Sequence, residues 1–418
     1  MVQDSFADRC VLVVSANYAP EHAGIGPYSA QIAEHLAASG ARTHVLAGMP
    51  HYPAWRVHGD YRGRWRLREV RAGVTVHRRR HTVPARQTAL RRGLFEAGFL
   101  LHGVLAPPRV RPDVVLSQVP ALAGGVLGAR IARRAGVPHA VVVQDLMGAA
   151  AGQSGMRGGG RVAALAGGVE GRVLRGAAVV GVVHESFVDR VAAMGVRRER
   201  LRVVPNWTHV RAPGGDRART RSRLGWPEGA TVVLHSGNMG LKQGLEVLVE
   251  AARRADRERR GGARDVRIVL MGDGHQRERL LSLGEGVGSL SFLPPAGEEE
   301  FPEVLAAADV LAVTQRASVL DMSLPSKLTS YFTAGRPVVA SVAAGSGTAR
   351  EVERSGAGVV VAPEDPGALL AAVRSLAGDP GRCAELGARG REYAERRLSR
   401  RAGLERVTAL LREALATG

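Results

Sequence analysis

Two lysines, Lys242 and Lys327, are the only ones in 418 residues, although Lys and Arg together number 58. The other 56 (58 − 2) are arginines, so a lysine that persists marks a position where a compact ammonium is wanted. Both lie in stretches built to meet an anion. Lys242 belongs to Ser236-Gly237-Asn238-Met239-Gly240-Leu241-Lys242-Gln243-Gly244, a glycine-rich loop between an apolar run and a helical pattern through Val249. Lys327 belongs to Asp321-Met322-Ser323-Leu324-Pro325-Ser326-Lys327, which opens a short helical pattern closed by Gly335, with Ser326 as its expected cap. A helix N-terminus with free backbone N–H groups and a positive dipole end suits phosphate, and an ammonium there suits a diphosphate. Neither stretch carries the Gly-Lys-Ser/Thr ending of a nucleotide-hydrolysing loop, so phosphate binding without hydrolysis is the expectation.

A glycine pair, Gly24 and Gly26, opens a helical pattern about eight residues after the first apolar run, with Asn17, Tyr18 and Ile25 in the same loop. That spacing lacks the strand-end glycine of a nicotinamide-cofactor fingerprint, which disfavours an oxidoreductase. Met271-Gly272-Asp273-Gly274-His275 and Phe292-Leu293-Pro294-Pro295 can line a nucleobase slot or be ordinary turns. No Asp-x-Asp pair stands at a strand end and no His or Cys cluster has ligand spacing, so no metal and no cofactor are expected.

These loops need a scaffold that aims them. Short β-branched runs alternate with helical patterns: 11–15, 44–47, 114–117, 140–144 and 179–183, then, after a break at Pro213-Gly214-Gly215, 232–235, 268–271, 310–313, 338–340 and 359–361. The alternation predicts an α/β protein of two Rossmann-like domains, residues 1–208 and 209–395. A helical tail over 396–418 is expected to cross back to the first domain. Ligands of open parallel sheets bind beyond the carboxyl ends of the strands, so the expected site is a cleft between the domains. An apolar share of 45% with 23% charged residues excludes disordered, collagen-like and coiled-coil classes. The acidic and basic residues Asp4, Asp8 and Arg9 replace the apolar core of a secretory signal, which makes the cytoplasm the expected compartment. Cys10 and Cys383 receive no chemistry.

In this order, the Gly-Ile-Gly loop, Asn206-Trp207 after Val-Pro, Ser-Gly-Asn-x-Gly-x-Lys-Gln-Gly, Gly-Asp-Gly and Pro-Ser-Lys leading to Ala-Gly-Arg-Pro-Val-Val resemble a family-four retaining glycosyltransferase of the GT-B fold. The likeness is nearest to the colanic-acid and exopolysaccharide type and runs from Asn17 to about Pro363. It implies two domains facing each other across a cleft. A nucleotide-diphosphate sugar would lie on the second: Lys242 on the diphosphate with Gly237 and Asn238, Gly272, Gly274 and Leu293 around the base, and Asp321, Met322, Ser323, Leu324, Ser326 and Lys327 around sugar and phosphates. Gly24 and Gly26 would approach the transferred sugar, and the first domain would bind the acceptor. The family's paired glutamates fall at Met322 and Ser330, neither a carboxylate; Ser330 keeps a hydroxyl for a ribose, and Asp321 stands adjacent. The family's phosphate-binding arginine is replaced by Asn238.

The resemblance implies front-face attack, with Lys242 and Lys327 stabilising the leaving diphosphate. Asn17, Tyr18, Gln144, Asp145, His184 and Glu185 are the acceptor-side candidates. Asp145 either orients the acceptor and takes its proton or merely caps a helix. Between Trp55 and Arg92 stand 12 arginines against Asp60 and Glu69, interleaved with Trp55, Tyr61 and Trp65 and followed by Leu94, Phe95, Phe99, Leu100 and Leu101. That pattern suits an anionic membrane surface or a polyprenyl-phosphate acceptor, giving a protein peripheral to the inner face of a membrane. The expected partners are a UDP-, GDP- or dTDP-sugar and a hydroxyl acceptor that is a saccharide, a lipid-linked sugar or a secondary metabolite. Two other functions fit less well: a GT-B epimerase of nucleotide sugars, and a basic nucleic-acid-binding protein, against which stand a 4% aromatic share and the lack of any recognised binding signature.

Overall fold

The computed structural model describes residues 6–22, 24–84, 89–119, 122–146, 159–319 and 327–417. The chain divides into two compact units, Met1–Asn206 with Gly403–Gly418, and Trp207–Ala402. The helix Arg400–Ala416 thus ends in the first unit, where Arg202 pairs with Glu413 at 2.6 Å. Pro213-Gly214-Gly215 is no free linker: Gly214 and Gly215 donate their N–H groups to the Glu303 carboxylate.

The first unit is built on an eight-stranded sheet ordered β3-β4-β2-β1-β5-β6-β7-β8. Its strands are β1 (Cys10–Ser15), β2 (Arg42–Gly48), β3 (Arg66–Arg71), β4 (Val74–Arg79), β5 (Val114–Val119), β6 (His139–Val143), β7 (Val179–Val182) and β8 (Leu201–Val203). All neighbours are parallel except β3 and β4. The second unit carries β9 (Thr231–Ser236), β10 (Val266–Met271), β11 (Leu290–Leu293), β12 (Val310–Thr314), β13 (Val338–Ser341) and β14 (Gly358–Val361), all parallel, in the order β11-β10-β9-β12-β13-β14.

Strands covered on both faces need apolar side chains in both directions, and β9 shows it. Val232 and Leu234 join one core cluster with Leu311, Val313, Leu328 and Tyr331; Val233 joins the other with Leu248, Ile268 and Leu270. Strand order reverses beside β1 and beside β9, where β2 and β5, and β10 and β12, leave in opposite directions. Loops at these two switch points are splayed apart, so each offers a crevice lined by backbone groups.

Candidate active site

In the second unit the loop after β9 is locked against the loop after β10. Gly237 donates to the Met271 carbonyl, Met239 to the Asp273 carbonyl, and Gly272 to the Leu293 carbonyl. Gly272 has φ +141°, and a Cβ there would fall 2.0 Å from the Gly237 oxygen, so only glycine fits. Leu293 contributes this carbonyl while its side chain is half-buried against the core. Asn238 is exposed, its amide folded over Gly240 and Gly274. Lys242 is exposed in a single tight turn, Leu241–Gln243, and the helix begins only at Glu246. The Lys242 carbonyl accepts from the Arg316 N–H, and the Arg316 guanidinium pairs with Glu246 at 2.9 Å and Glu364 at 3.4 Å.

Lys327 opens the helix Lys327–Ala334 and reaches back to the β9 loop, its Cε and Nζ 3.8 and 3.9 Å from where a Gly237 Cβ would stand. Nζ lies 3.1 Å from Nε2 of His235, and His235 Nδ1 lies 3.2 Å from the Ala312 carbonyl. Burial first, and the neighbouring ammonium second, hold His235 well below its ordinary 6.5. Burial lowers Lys327 from 10.5 to about 7. The Tyr331 hydroxyl, on the same helix, accepts from the Ser236 N–H at 2.8 Å and so ties this helix to the end of β9. Ser330 is buried and offers a ribose little surface. Asp321, Met322, Ser323, Leu324 and Ser326 lie outside the described residues.

In the first unit the loop after β1 is organised by a carboxylate that sequence reading passed over. Glu21 is buried; its Oε1 accepts from the N–H groups of His51 and Tyr52 at 2.8 and 2.9 Å, and its Oε2 from Asn17 at 2.9 Å. Burial raises its carboxyl pKa, and these hydrogen bonds pull against that shift. Gly24, at φ +66°, leaves room for the Tyr52 ring, and Gly26 starts the helix Gly26–Ala38 against Glu21. Asn17, Gly24, Ile25, His51, Tyr52, Trp55 and Phe95 enclose a pocket of about 160 Å³.

Trp55 also borders a groove of about 680 Å³ that carries Arg56, Arg62, Arg64 and Arg80 and, among the described residues, no carboxylate. Trp55 holds φ +48°, a conformation costly for a bulky residue, and it places one indole at the edge of both cavities. Arg80 stacks on exposed Trp65 at 4.9 Å. The apolar run beyond divides: Phe95 and Phe99 are core, whereas Leu94, Leu101 and Leu105 are exposed along the helix Ala89–Leu105.

Of the remaining acceptor-side candidates, Gln144 and Asp145 follow β6, and His184 and Glu185 follow its neighbour β7. Tyr18, expected at the acceptor, is instead a core residue, buried beneath the Arg78 guanidinium. Gln144 accepts from Asn206 at 2.7 Å and donates to Gln118 at 3.3 Å. His184 is buried, and its Nδ1 accepts from the Ser186 N–H at the start of the helix Ser186–Ala193. Glu185 is exposed beside it. Asp145 is exposed after β6, its Oδ1 accepting from the Leu146 N–H at 2.8 Å. No helix among the described residues is long and apolar enough to cross a membrane.

Comparison with known proteins agrees with this layout. Residues 23–207 match the family described as Glycosyl transferase 4-like domain, and residues 230–379 match Glycosyl transferases group 1. The chain is 31% identical over 405 residues to a colanic acid biosynthesis glycosyl transferase, WcaI, of Escherichia coli (strain K12), covering 93% of this chain and 96% of that one. It is 30% identical over 213 residues to a D-inositol 3-phosphate glycosyltransferase of Nocardia farcinica, covering 49% of this chain and 46% of that one. Among solved structures, sucrose-phosphate synthase from Thermosynechococcus elongatus superposes with a TM-score of 0.71 at 18% identity, covering 98% and 100% of the two chains. HepE of Anabaena, solved in complex with UDP-glucose, gives 0.64 at 17% identity, covering 96% and 99%.

Proposed function

Since the chain belongs to the group 1 glycosyltransferase family, we propose that it is a retaining, metal-independent member acting from the cytoplasmic face of an anionic membrane. It is a glycosyltransferase of the GT-B fold, and the epimerase alternative is not favoured. The observation that carries the donor side is the Lys327 ammonium lying against Gly237 beside the β9 switch point. Lys327 from one element and exposed Lys242 from another flank a loop of backbone groups, an arrangement suited to a diphosphate. HepE takes UDP-glucose, which supports a nucleotide sugar here, and WcaI belongs to colanic acid biosynthesis, which supports a saccharide acceptor.

In the proposed step the acceptor oxygen bonds to the anomeric carbon on the face the diphosphate leaves. The bond between that carbon and the phosphate oxygen breaks, and the acceptor proton passes to the departing phosphate. The two ammonium groups stabilise the charge that develops there, the work a divalent cation would otherwise do. Asp145 is the carboxylate assigned to orient the acceptor. The 160 Å³ pocket after β1 fits the sugar end of the acceptor, and the arginine groove that shares Trp55 fits an acidic group or membrane headgroup beyond it.

The test is a panel of UDP-, GDP- and dTDP-sugars with saccharide and lipid-linked acceptors. Nucleotide release that requires acceptor, a product with the donor's anomeric configuration by NMR, and a rate indifferent to EDTA are expected. An inverted product overturns retention, and activity lost to EDTA and restored by a divalent cation overturns the metal-independent reading. Lys242→Ala and Lys327→Ala should each weaken nucleotide binding; unchanged affinity in both would defeat the phosphate assignment.

A further inference from the structure

We infer that His235 is a positioning residue for Lys327, a neutral tether that aims the ammonium without cancelling its charge. The inference rests on the reading of Lys327 as a diphosphate ligand and adds to it the group that makes that lysine effective. His235 ends the interior of β9 with no exposed surface, a place where a strand between two covered faces would ordinarily carry Val or Leu. Its ring spans two partners: Nδ1 faces the Ala312 carbonyl of β12 at 3.2 Å, and Nε2 faces Lys327 Nζ at 3.1 Å. A carbonyl can only accept, so the ring proton resides on Nδ1 and the lone pair of Nε2 is directed at the ammonium.

That choice of partner has a consequence for binding. A carboxylate in the same place would hold Lys327 equally well, but it would neutralise the ammonium and compete with the incoming phosphate. Imidazole takes one of the three ammonium N–H groups and leaves two, with the full positive charge, for a ligand. A lysine side chain left free must give up rotamer freedom when it is fixed on a ligand. Here the geometry is set in advance by His235, held by Ala312, and by the backbone at Gly237 against which the lysine lies.

Two substitutions separate the ring's two contacts. In His235→Asn the amide can still donate to Ala312 but does not reach Lys327; in His235→Gln the longer side chain carries an acceptor to the lysine. Calorimetric titration of the full chain with UDP, GDP and dTDP, following whichever binds most tightly, should show His235→Asn about tenfold weaker and His235→Gln within about threefold of wild type. In a Lys327→Ala background His235→Asn should have no further effect, because the histidine acts only through the lysine. Thermal melts establish that each variant is folded. Wild-type affinity in His235→Asn, equal losses in Asn and Gln, or additive losses with Lys327→Ala would each overturn the inference. Unchanged affinity in Lys327→Ala alone would instead defeat the phosphate reading on which it stands, a separate result.

Discussion

Glu21 and His51 meet at 3.2 Å between carboxylate oxygen and Nδ1, each side chain only 1% exposed. The same carboxylate oxygen holds the His51 and Tyr52 N–H groups, so one side chain joins the loop after β1 to the loop after β2. Glu21→Ala would leave those two N–H groups and the Asn17 amide without their acceptor. The expected loss is about 3–5 kcal/mol in unfolding free energy, read from urea denaturation at an unchanged m-value. Glu21→Gln keeps an acceptor oxygen and should lose about 1–2 kcal/mol. An alanine variant as stable as wild type would show that the 160 Å³ pocket owes nothing to this bracket.

Lys327 makes nucleotide binding depend on pH in a range where lysines normally do not titrate. With its pKa lowered from 10.5 to about 7, the free protein loses this ammonium as pH rises through about 7. A bound diphosphate holds the proton, so affinity should decline as pH is raised from about 7 to about 9, approaching tenfold per pH unit at the steepest. Stability runs the other way. A base with a depressed pKa contributes fully above 10.5, and its contribution is lost as pH falls through about 7. Among the described residues its hydrogen-bond partner is His235, whose ring is held neutral and brings no opposing charge. Lys327→Arg, charged throughout, should flatten the affinity profile, and titration calorimetry across this range would reveal a slope that persists.

Which parts were readable follows from how far each residue's partners lie along the chain. β1 and β9 stand out as continuous apolar runs because buried parallel strands take apolar side chains on both faces. The hairpin of β3 and β4 does not, since Arg66–Arg71 and Val74–Arg79 are arginine-rich and β3 alternates between exposed and half-buried positions. Lys242, Lys327 and the glycine loops were visible as local spacing. His235 was not, because its role comes from Lys327, 92 residues away, and Ala312, 77 away. Glu21 was hidden likewise behind backbone partners 30 and 31 residues on. Tyr18 shares the loop after β1 with Asn17 and Gly24, but its ring is taken up by the core and by Arg78.

Gly272 tests whether the loops after β9 and β10 act as one unit. A Cβ at this position would lie 2.0 Å from the Gly237 oxygen, so Gly272→Ala must push the two loops apart. Gly286 makes a fair comparison, since it too has positive φ, +74°, but nothing within 4 Å. Gly286→Ala should cost about 1 kcal/mol from backbone conformation alone. Gly272→Ala should cost about 3 kcal/mol or more and weaken nucleotide binding as well. Equal costs for the two, measured by denaturation, would mean that the loops are not in contact.

The arginine groove of the first unit is an electrostatic problem that an anion would solve. Arg56, Arg62, Arg64 and Arg80 line it, and Arg80 rests on the Trp65 ring. Gathering such charges disfavours the free protein and favours whatever brings negative charge to them. Exposed Trp65, Leu94, Leu101 and Leu105 add an apolar margin, with Trp65 against His102, a groove residue, at 5.2 Å between ring centroids. The protein should therefore sediment with phosphatidylglycerol vesicles and not with phosphatidylcholine vesicles. Each basic side chain near such a surface contributes about 1 kcal/mol, so the double variant Arg56→Ala/Arg64→Ala should bind about thirtyfold more weakly. Raising the salt should weaken the wild type more than the double variant, because fewer screened charges remain in the latter. Equal binding to both kinds of vesicle, or no loss in the double variant, would assign the groove to the surface bias of an arginine-rich chain.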